Sequence, residues 1–445
     1  MAGAGAAWES FLRRHPDTTT VDALLPDLVG IPRGKRFTAD AFAATLEGGF
    51  SVAASVYGLE GIGINVPASG LIWETGDSDR PCFPDPATLR PVPWRPGGAM
   101  AIASMREPDG RPFFGEPRAV LAGLAERFRS ELGLTPVVAL ELEFYFHRAE
   151  PGPDGRPRPP EGWRGAGVYS LDKLDRAEDA LARVAAYCAA QELPVRGTVA
   201  EYDDGQFEVN LGHVADPVLA ADHAFLLKRA VRAAARDVGL GATFMAKPYE
   251  DKAGNGLHVH VSLVDRDGAN AFGADDGLLR RAVAGLRATM AEAMLLFAPN
   301  ANSFRRLRPG SYAPLAPTWG YDNRFVALRV PAGGTAARRI EHRTAGADAN
   351  PYLALAAVLA GIRHGMAGDG LDPGPPVEGD AYAQAPPSLP LSWDAAIEAL
   401  AVAPVLPDHL GAEFCRLYRV CRAAERDRFA DIVTPTEYAW YRDVV

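Results

Sequence analysis

Residues 137–146, VVALELEFYF, alternate oily and polar side chains with a period of two, and so do residues 254–263, GNGLHVHVSL. Successive side chains of an extended chain point to opposite faces. Leu140, Leu142, Phe144 and Phe146 then share one side of the first segment, and Glu141, Glu143 and Tyr145 the other. In the second segment Leu257, Val259, Val261 and Leu263 oppose His258, His260 and Ser262. For one segment alone, an edge strand with a solvated acidic face is the simplest reading. The pattern recurs, however. Glu201 and Glu208 flank the turn-forming Asp203-Asp204-Gly205 of AEYDDGQFEVNL, so two strand ends can return both carboxylates to one neighbourhood. In RRIEHR (338–343), Arg339, Glu341 and Arg343 oppose Ile340 and His342. Four strand-like segments thus offer five glutamates and two histidines on polar faces.

Gathered carboxylates repel one another unless a cation compensates them. An oxygen-rich set with an occasional imidazole suits Mg²⁺ or Mn²⁺, and a set without thiolate matches structural zinc poorly. The downstream arginines Arg306, Arg324, Arg329, Arg339 and Arg343 add guanidinium forks, which bind carboxylates and phosphates bidentately. Metal ions together with arginines imply phosphoryl chemistry on an anionic substrate. Each residue taken singly says little, since a lone histidine is more often a satisfied core residue than a ligand.

Composition narrows the rest. A chain of 445 residues, 48% hydrophobic, can bury a substantial core and has the length of two or three domains. A net charge of -10 without a long Lys/Arg block argues against a nucleic-acid partner, because phosphate contacts need clustered positive charge. Cys82, Cys188, Cys415 and Cys421 show no C-x-x-C spacing, which fits a reducing compartment with neither structural zinc nor a disulfide framework. The start MAGAGAAWESFLRRHPD lacks a basic region followed by an apolar stretch, and no run of eighteen apolar residues occurs, so no membrane partner and a cytoplasmic location are expected.

Up to residue 113, short strand-like runs such as SVAASVYGLEGIGINV and AMAIASM are broken by Gly and Pro around one expected helix, TADAFAATLEG. From GEPRAVLAGLAERFRSELG onward, amphipathic helices alternate with strands, and Pro117 suits a first helical turn. Further helices are expected at 173–192, 216–238, 276–297, 350–367 and 407–427, the one at 350–367 opening on the cap Asn350 and Pro351. The Pro/Gly-rich stretches 148–165 and 368–390 read as surface loops or as flaps over a site.

The segments ELEFYF, GQFEVNL, MAKPY followed by GNGLHVHVSL, NSFRRLRPG, YDNRFVALRVP, and RRIEHR followed by ADANPY occur in the order of the glutamine synthetase family's signatures. The resemblance covers nearly the whole chain. It implies an α+β fold: a β-grasp-like N-terminal domain over 1–113 and a catalytic domain over 114–445, built on a curved antiparallel sheet with helices. It also implies two or more Mg²⁺ or Mn²⁺ ions per site and ATP as co-substrate. By resemblance, Glu143, Glu201 and Glu208 hold one ion, and Glu141, His258 and Glu341 the other. His260 contacts substrate or the transferring phosphate, while Lys247, Ser262 and Arg339 lie in the nucleotide region. Arg306 and Arg343 grip the carboxylates of glutamate, Gly254 its amino-acid end, and Arg324 and Arg329 the developing phosphate charge. The implied reaction phosphorylates the γ-carboxylate of glutamate, and a nitrogen nucleophile then displaces phosphate.

The sequence departs from the family where ammonium is held. The family's P-G-x-E-A-P loop reads PGSYAP, with Tyr312 in place of the glutamate, and GIGINVPASGLIW (61–73) contains no acidic residue. A small cation without an acidic cage binds poorly. The departure points to a larger amine whose alkyl chain touches Tyr312, with Glu201 as the base that deprotonates it. DLVGIPRGKRF, APTWGYDNR and RIEHRTAGADANPY are similar to the γ-glutamylpolyamine (γ-glutamylputrescine) synthetase branch, which implies a role in polyamine and nitrogen metabolism. Ala253 and Ala336 stand where family members often carry Asn and Lys. The alternatives are a glutamine synthetase using ammonium, a ligase for ethanolamine, isopropylamine or aniline, and a silent relative. Against the last, every expected metal ligand is acidic or histidine. The resemblance also implies a homododecamer of two hexameric rings, with segment 61–73 facing the neighbour's site.

Overall fold

The computed structural model describes residues 2–153, 155–163, 167–368 and 370–445. It contains two sheets. The first has six strands in the order Pro32–Thr38, Thr20–Pro26, Gly98–Met105, Asp79–Pro84, Phe50–Ala53, with Arg90–Pro91 also paired to Gly98–Met105. Thr20–Pro26 and Gly98–Met105 run parallel and the other pairs antiparallel, so this sheet is mixed. The expected helix is present as Ala39–Gly48, capped by the Thr38 hydroxyl, which accepts from the Ala41 N–H. A second helix, Ala2–Arg14, was not anticipated. Its Gly/Ala-rich start hides the periodicity, but Trp8 and Phe11 are buried, and the Trp8 ring lies 5.2 Å from that of Phe42.

The second sheet has eight strands in the order Trp319–Tyr321, Leu328–Val330, Ile340–His342, Leu257–Val264, Thr135–Arg148, Gln206–Leu211, Val195–Ala200, with Leu240–Thr243 joined to the far end of Thr135–Arg148. Thr135–Arg148 is therefore central, which corrects the edge-strand reading of its acidic face. The sheet is mixed rather than wholly antiparallel, because Trp319–Tyr321 and Leu328–Val330 run parallel. The chain turns back between them at Asp322, held at φ +47, and the Asn323 amide anchors the turn by donating to the Val377 and Gly379 carbonyls.

Register brings the polar residues together. His258 pairs with Glu141, Glu143 with Glu208, and His260 and Arg329 each with Glu341. On the opposite face Leu140, Leu142, Phe144, Phe146, Leu257, Val259, Val261 and Leu263 are completely buried. Burial of such side chains contributes roughly 1.5–3 kcal/mol each, so a one-residue slip, which exchanges the faces, is strongly disfavoured. The helices Pro117–Leu132, Pro217–Asp237 and Pro351–Ala367 pack on this side, and each begins with proline.

Three expected helices are divided. The first breaks at Ala177 into Leu171–Arg176 and Glu178–Ala190, and the second into Asp276–Thr289 and Met294–Phe297. The third breaks at Gly411, whose φ of +97 no helix accommodates, into Leu406–Leu410 and Ala412–Ala430. Helices Trp393–Ala401 and Pro435–Tyr441 were not anticipated. No helix among the described residues is long and apolar enough to cross a membrane, and the four cysteines are free and buried.

Candidate active site

The ionisable face of the second sheet opens into a cavity of about 810 Å³. Glu141, Glu143, Glu201, Glu208, Glu341, His258 and His260 all line it, as do Gly254, Tyr312 and the arginines Arg306, Arg324, Arg329, Arg339 and Arg343. His258 lies at the centre of the acids. Its Nδ1 is 3.3 Å from Glu141 Oε2 and 3.9 Å from both Glu208 Oε2 and Glu341 Oε1, and its Nε2 is 3.9 Å from Glu143 Oε1.

The backbone permits this crowding through glycine. At Gly256 a Cβ would lie 2.9 Å from Arg306 Nη2, 3.1 Å from His258 Nε2 and 3.3 Å from Glu143 Oε1, and the Gly256 N–H donates to Glu143 Oε2 at 2.7 Å. At Gly254 a Cβ would meet the Ala246 carbonyl oxygen at 2.7 Å. The Gln206 amide donates to the Gly254 carbonyl at 2.9 Å, and Asn210 Nδ2 to Glu208 Oε1 at 2.9 Å.

The carboxylates do not share one electrostatic fate. Glu201 is pushed up to about 7 by burial and then by the charge of Glu143. Burial, then Glu141, Glu143 and Glu201, holds Glu208 well above the usual carboxylate range. Burial also opposes ionisation of Glu341, but Arg343 and the two histidines outweigh it and bring the group down to about 2. Arg343 and Arg329 both donate to Glu341, the latter at 2.8 Å, and Arg329 also pairs with Asp322. Glu141 is lowered despite burial because both histidines bond to it.

This donor set fits divalent cations. Glu141, Glu208 and His258 offer ligand atoms within 4.8 Å of one another, as do Glu141, His260 and Glu341. These groupings differ from the two triads implied by resemblance, since Glu141 enters both and neither Glu143 nor Glu201 enters either. Glu143 is drawn to the Gly256 N–H. The oxygen-dominated chemistry and the raised Glu201 and Glu208 are what a site built around added positive charge requires.

His260 is set up differently from His258. Arg339 Nε donates to His260 Nδ1 at 3.2 Å, so the neutral ring carries its proton on Nε2, which faces Glu141 Oε1 at 3.0 Å inside the cavity. Arg339 also lines a second cavity of about 660 Å³, together with Ser262, His213, Asn270 and backbone around Gly268 and Ala336. Lys247 lines neither cavity. Its amine donates to the Lys252 carbonyl, and its N–H to Asn302 Oδ1 at 2.8 Å. Nor do the described residues of 148–165 or 368–390 line either cavity, so the flap reading finds no support. Trp163 instead packs edge-on against Phe146 and Phe207.

The sequence reading missed Tyr169 and Tyr202, which line the first cavity and are exposed. The available signal was an aromatic directly before the Asp203-Asp204-Gly205 turn, where polar residues are usual.

The family model for the glutamine synthetase catalytic domain matches residues 114–441. The gamma-glutamylputrescine synthetase of Escherichia coli strain K12 is 40% identical over 442 residues, covering 97% of this chain and 93% of that protein. A gamma-glutamylethanolamide synthetase of Streptomyces coelicolor is 35% identical over 438 residues, covering 95% and 92%. The ligand-free structure of GmaS superposes with a TM-score of 0.84 at 28% identity, covering 97% and 98%. Sequence, fold and the registered acid and imidazole face agree: this chain belongs to the glutamine synthetase family.

Proposed function

We propose that the protein is an ATP-dependent glutamate-amine ligase. It joins the γ-carboxylate of glutamate to an alkyl amine or polyamine of the putrescine type, through γ-glutamyl phosphate. The observation that carries this reading is a cavity lined both by acids, histidines and arginines and by the exposed aromatics Tyr202 and Tyr312. The names of the most similar relatives, which join glutamate to putrescine or ethanolamine, support it.

Glu143, Glu201 and Glu208 are assigned to one divalent ion and Glu141, His258 and Glu341 to a second. When bound, these ions neutralise phosphate and carboxylate charge and orient the reacting oxygens. Mg²⁺ suits the oxygen-rich set, and Mn²⁺ suits it as well. Arg306 and Arg343 hold the carboxylates of glutamate against the backbone at Gly254. Ser262 and Arg339 face the nucleotide in the second cavity, and Lys247 stays assigned to the nucleotide region by resemblance alone. The γ-carboxylate oxygen attacks the terminal phosphorus of ATP and ADP leaves. Arg324, Arg329 and the Nε2–H of His260 meet the charge that develops on the transferring group. Glu201 then takes one proton from the incoming alkylammonium group, the freed amine nitrogen attacks the acyl carbon, the acyl–oxygen bond to phosphate breaks, and inorganic phosphate departs with the second nitrogen proton. The site belongs to a catalytic domain over 114–445, with the β-grasp-like domain over 1–113, and we place the enzyme in the cytoplasm.

The test is phosphate release with glutamate, ATP and Mg²⁺ across ammonium, putrescine, spermidine, ethanolamine, isopropylamine and aniline. The expected result is the highest kcat/KM with an alkyl amine or diamine. Ammonium as best substrate would mean an ordinary glutamine synthetase.

A further inference from the structure

Three aromatic rings from three separate segments stack on one another, and two of them, Tyr202 and Tyr312, line the cavity. Tyr202, on the turn after Ala200, lies 5.6 Å from Tyr312 with the planes 29° apart, and Tyr312 lies 5.2 Å from Phe325 at 22°. The Tyr202 and Tyr312 hydroxyls bond to each other at 3.2 Å. Two further observations mark the stack as placed rather than incidental. Tyr312 sits at φ +57, a backbone conformation that bulky residues rarely adopt. Yet half of the Tyr202 surface and 39% of that of Tyr312 remain exposed, so the layer is not packed away as core.

The turn carrying Tyr202 is rigidly held. Lys173, itself buried, donates from Nζ to the carbonyl oxygens of Glu201 and, at 2.9 Å, Asp203, and the Tyr169 N–H donates to the Ala200 carbonyl at 2.8 Å. Glu201 and Tyr202 are adjacent on this turn, and both line the cavity. A nitrogen brought to Glu201 therefore enters the same cavity that the Tyr202 ring lines. The two hydroxyls are bonded to each other, which holds the Tyr202 ring against that of Tyr312.

Resting on the amine-ligase reading, we propose that Tyr202 is a specificity-determining residue for the carbon chain of the amine. Stacked on Tyr312, which in turn stacks on Phe325, it forms an aromatic wall that selects linear alkyl amines and diamines over ammonium. Ammonium has no chain to lay on this wall. Each methylene added to the amine gains up to about fourfold in affinity, until the wall is covered.

The experiment measures kcat and KM on the whole enzyme for ammonium, ethylamine, propylamine, butylamine and putrescine, in wild type and in Tyr202→Ala and Tyr202→Phe. In wild type kcat/KM should rise with chain length. In Tyr202→Ala that dependence should flatten, with the KM for butylamine and putrescine up at least tenfold and the KM for glutamate and ATP moving far less. Tyr202→Phe, which keeps the ring, should retain the dependence. Should Tyr202→Ala not fold, Tyr202→Asn, suited to the turn, carries the same comparison. An unchanged chain-length dependence in the ring-less variant overturns the proposal. So does a parallel loss across amine, glutamate and ATP, which would mark a structural role. If wild type prefers ammonium to every alkyl amine, the amine-ligase reading itself fails, a result distinct from a flat response to removing the ring.

Discussion

His258 stands where four carboxylates converge, within 3.9 Å of Glu141, Glu143, Glu208 and Glu341, and Glu141 also reaches His260. Glu141 is assigned to the ion that His258 and Glu341 also hold, and its carboxylate lies 3.3 Å from His258 Nδ1 and 3.0 Å from His260 Nε2, so losing its charge weakens that ion's binding. We expect Glu141→Gln to lower phosphate release at least a hundredfold and to raise the Mg²⁺ concentration needed for half-maximal rate. The gain in Tm that Mg²⁺ confers should shrink, since a ligand stabilises in proportion to its binding. A metal titration followed by both activity and thermal unfolding checks this, and an unshifted Mg²⁺ requirement counts against the assignment. At this scale the sequence was informative about residue type. The period of two separated Glu141, Glu143, His258 and His260 from their oily neighbours, because a strand's alternation is a local property. Tyr202 and Asn210 escaped notice because their importance lies in partners 110 residues away, as for Tyr202 with Tyr312, or in a carboxylate's orientation.

The helices behind the sheet show how far local signals reach at the scale of elements. Pro217 and Pro351, preceded by the caps Asp216 and Asn350, mark helix starts that the structure reproduces, since capping depends only on nearby backbone. The break at Gly411 and the division at Ala177 were not legible, because amphipathic periodicity runs on across a change of axis. Packing between Asp276–Thr289 and Pro351–Ala367 rests on glycine. A Cβ at Gly285 would lie 2.2 Å from the Gly361 carbonyl oxygen and 2.3 Å from the Gly365 nitrogen. No side-chain rotation relieves a clash with backbone, so Gly285→Val must separate the helices. We expect it to lower Tm by several degrees, for a loss of about 1–3 kcal/mol. Calorimetry decides this: a Tm equal to wild type would show that the helices separate without cost.

Across the whole molecule, hydrogen bonds and ion pairs join the two parts of the chain. The Asn350 amide, at the cap of Pro351–Ala367, donates to the Asp27 and Leu28 carbonyls at 2.9 and 3.3 Å, and Arg118 pairs with Asp85 at 2.8 Å and with Asp222 at 2.9 Å. Large apolar groups remain uncovered on this single chain. In the acid-free segment 61–73, Ile62 is 73% exposed and Trp73 78%, and Ile432, Val433, Tyr438 and Trp440 near the C-terminus are exposed as well. Surfaces of this kind mark interfaces. If the homododecamer implied by the family resemblance forms, light scattering will give a mass near twelve chains of 47.4 kDa. Trp73→Asp should shift the mass toward smaller species and reduce activity with it. A fully active monomer would refute a site completed by a neighbour.

The sequence by itself determined which residues are strand-borne and ionisable, where the main helices begin, and, through its ordered motifs, the family. All of these are written in spacing along the chain. Only the tertiary structure decided that Thr135–Arg148 is central, that Glu141 faces His258 while Glu208 faces Glu143, and that Lys247 lines neither cavity. It also decided that Tyr202, Tyr312 and Phe325 form one stack. Register and stacking arise between segments far apart in sequence. They are settled by which burial of the oily faces is most complete, a comparison that no local window of residues contains.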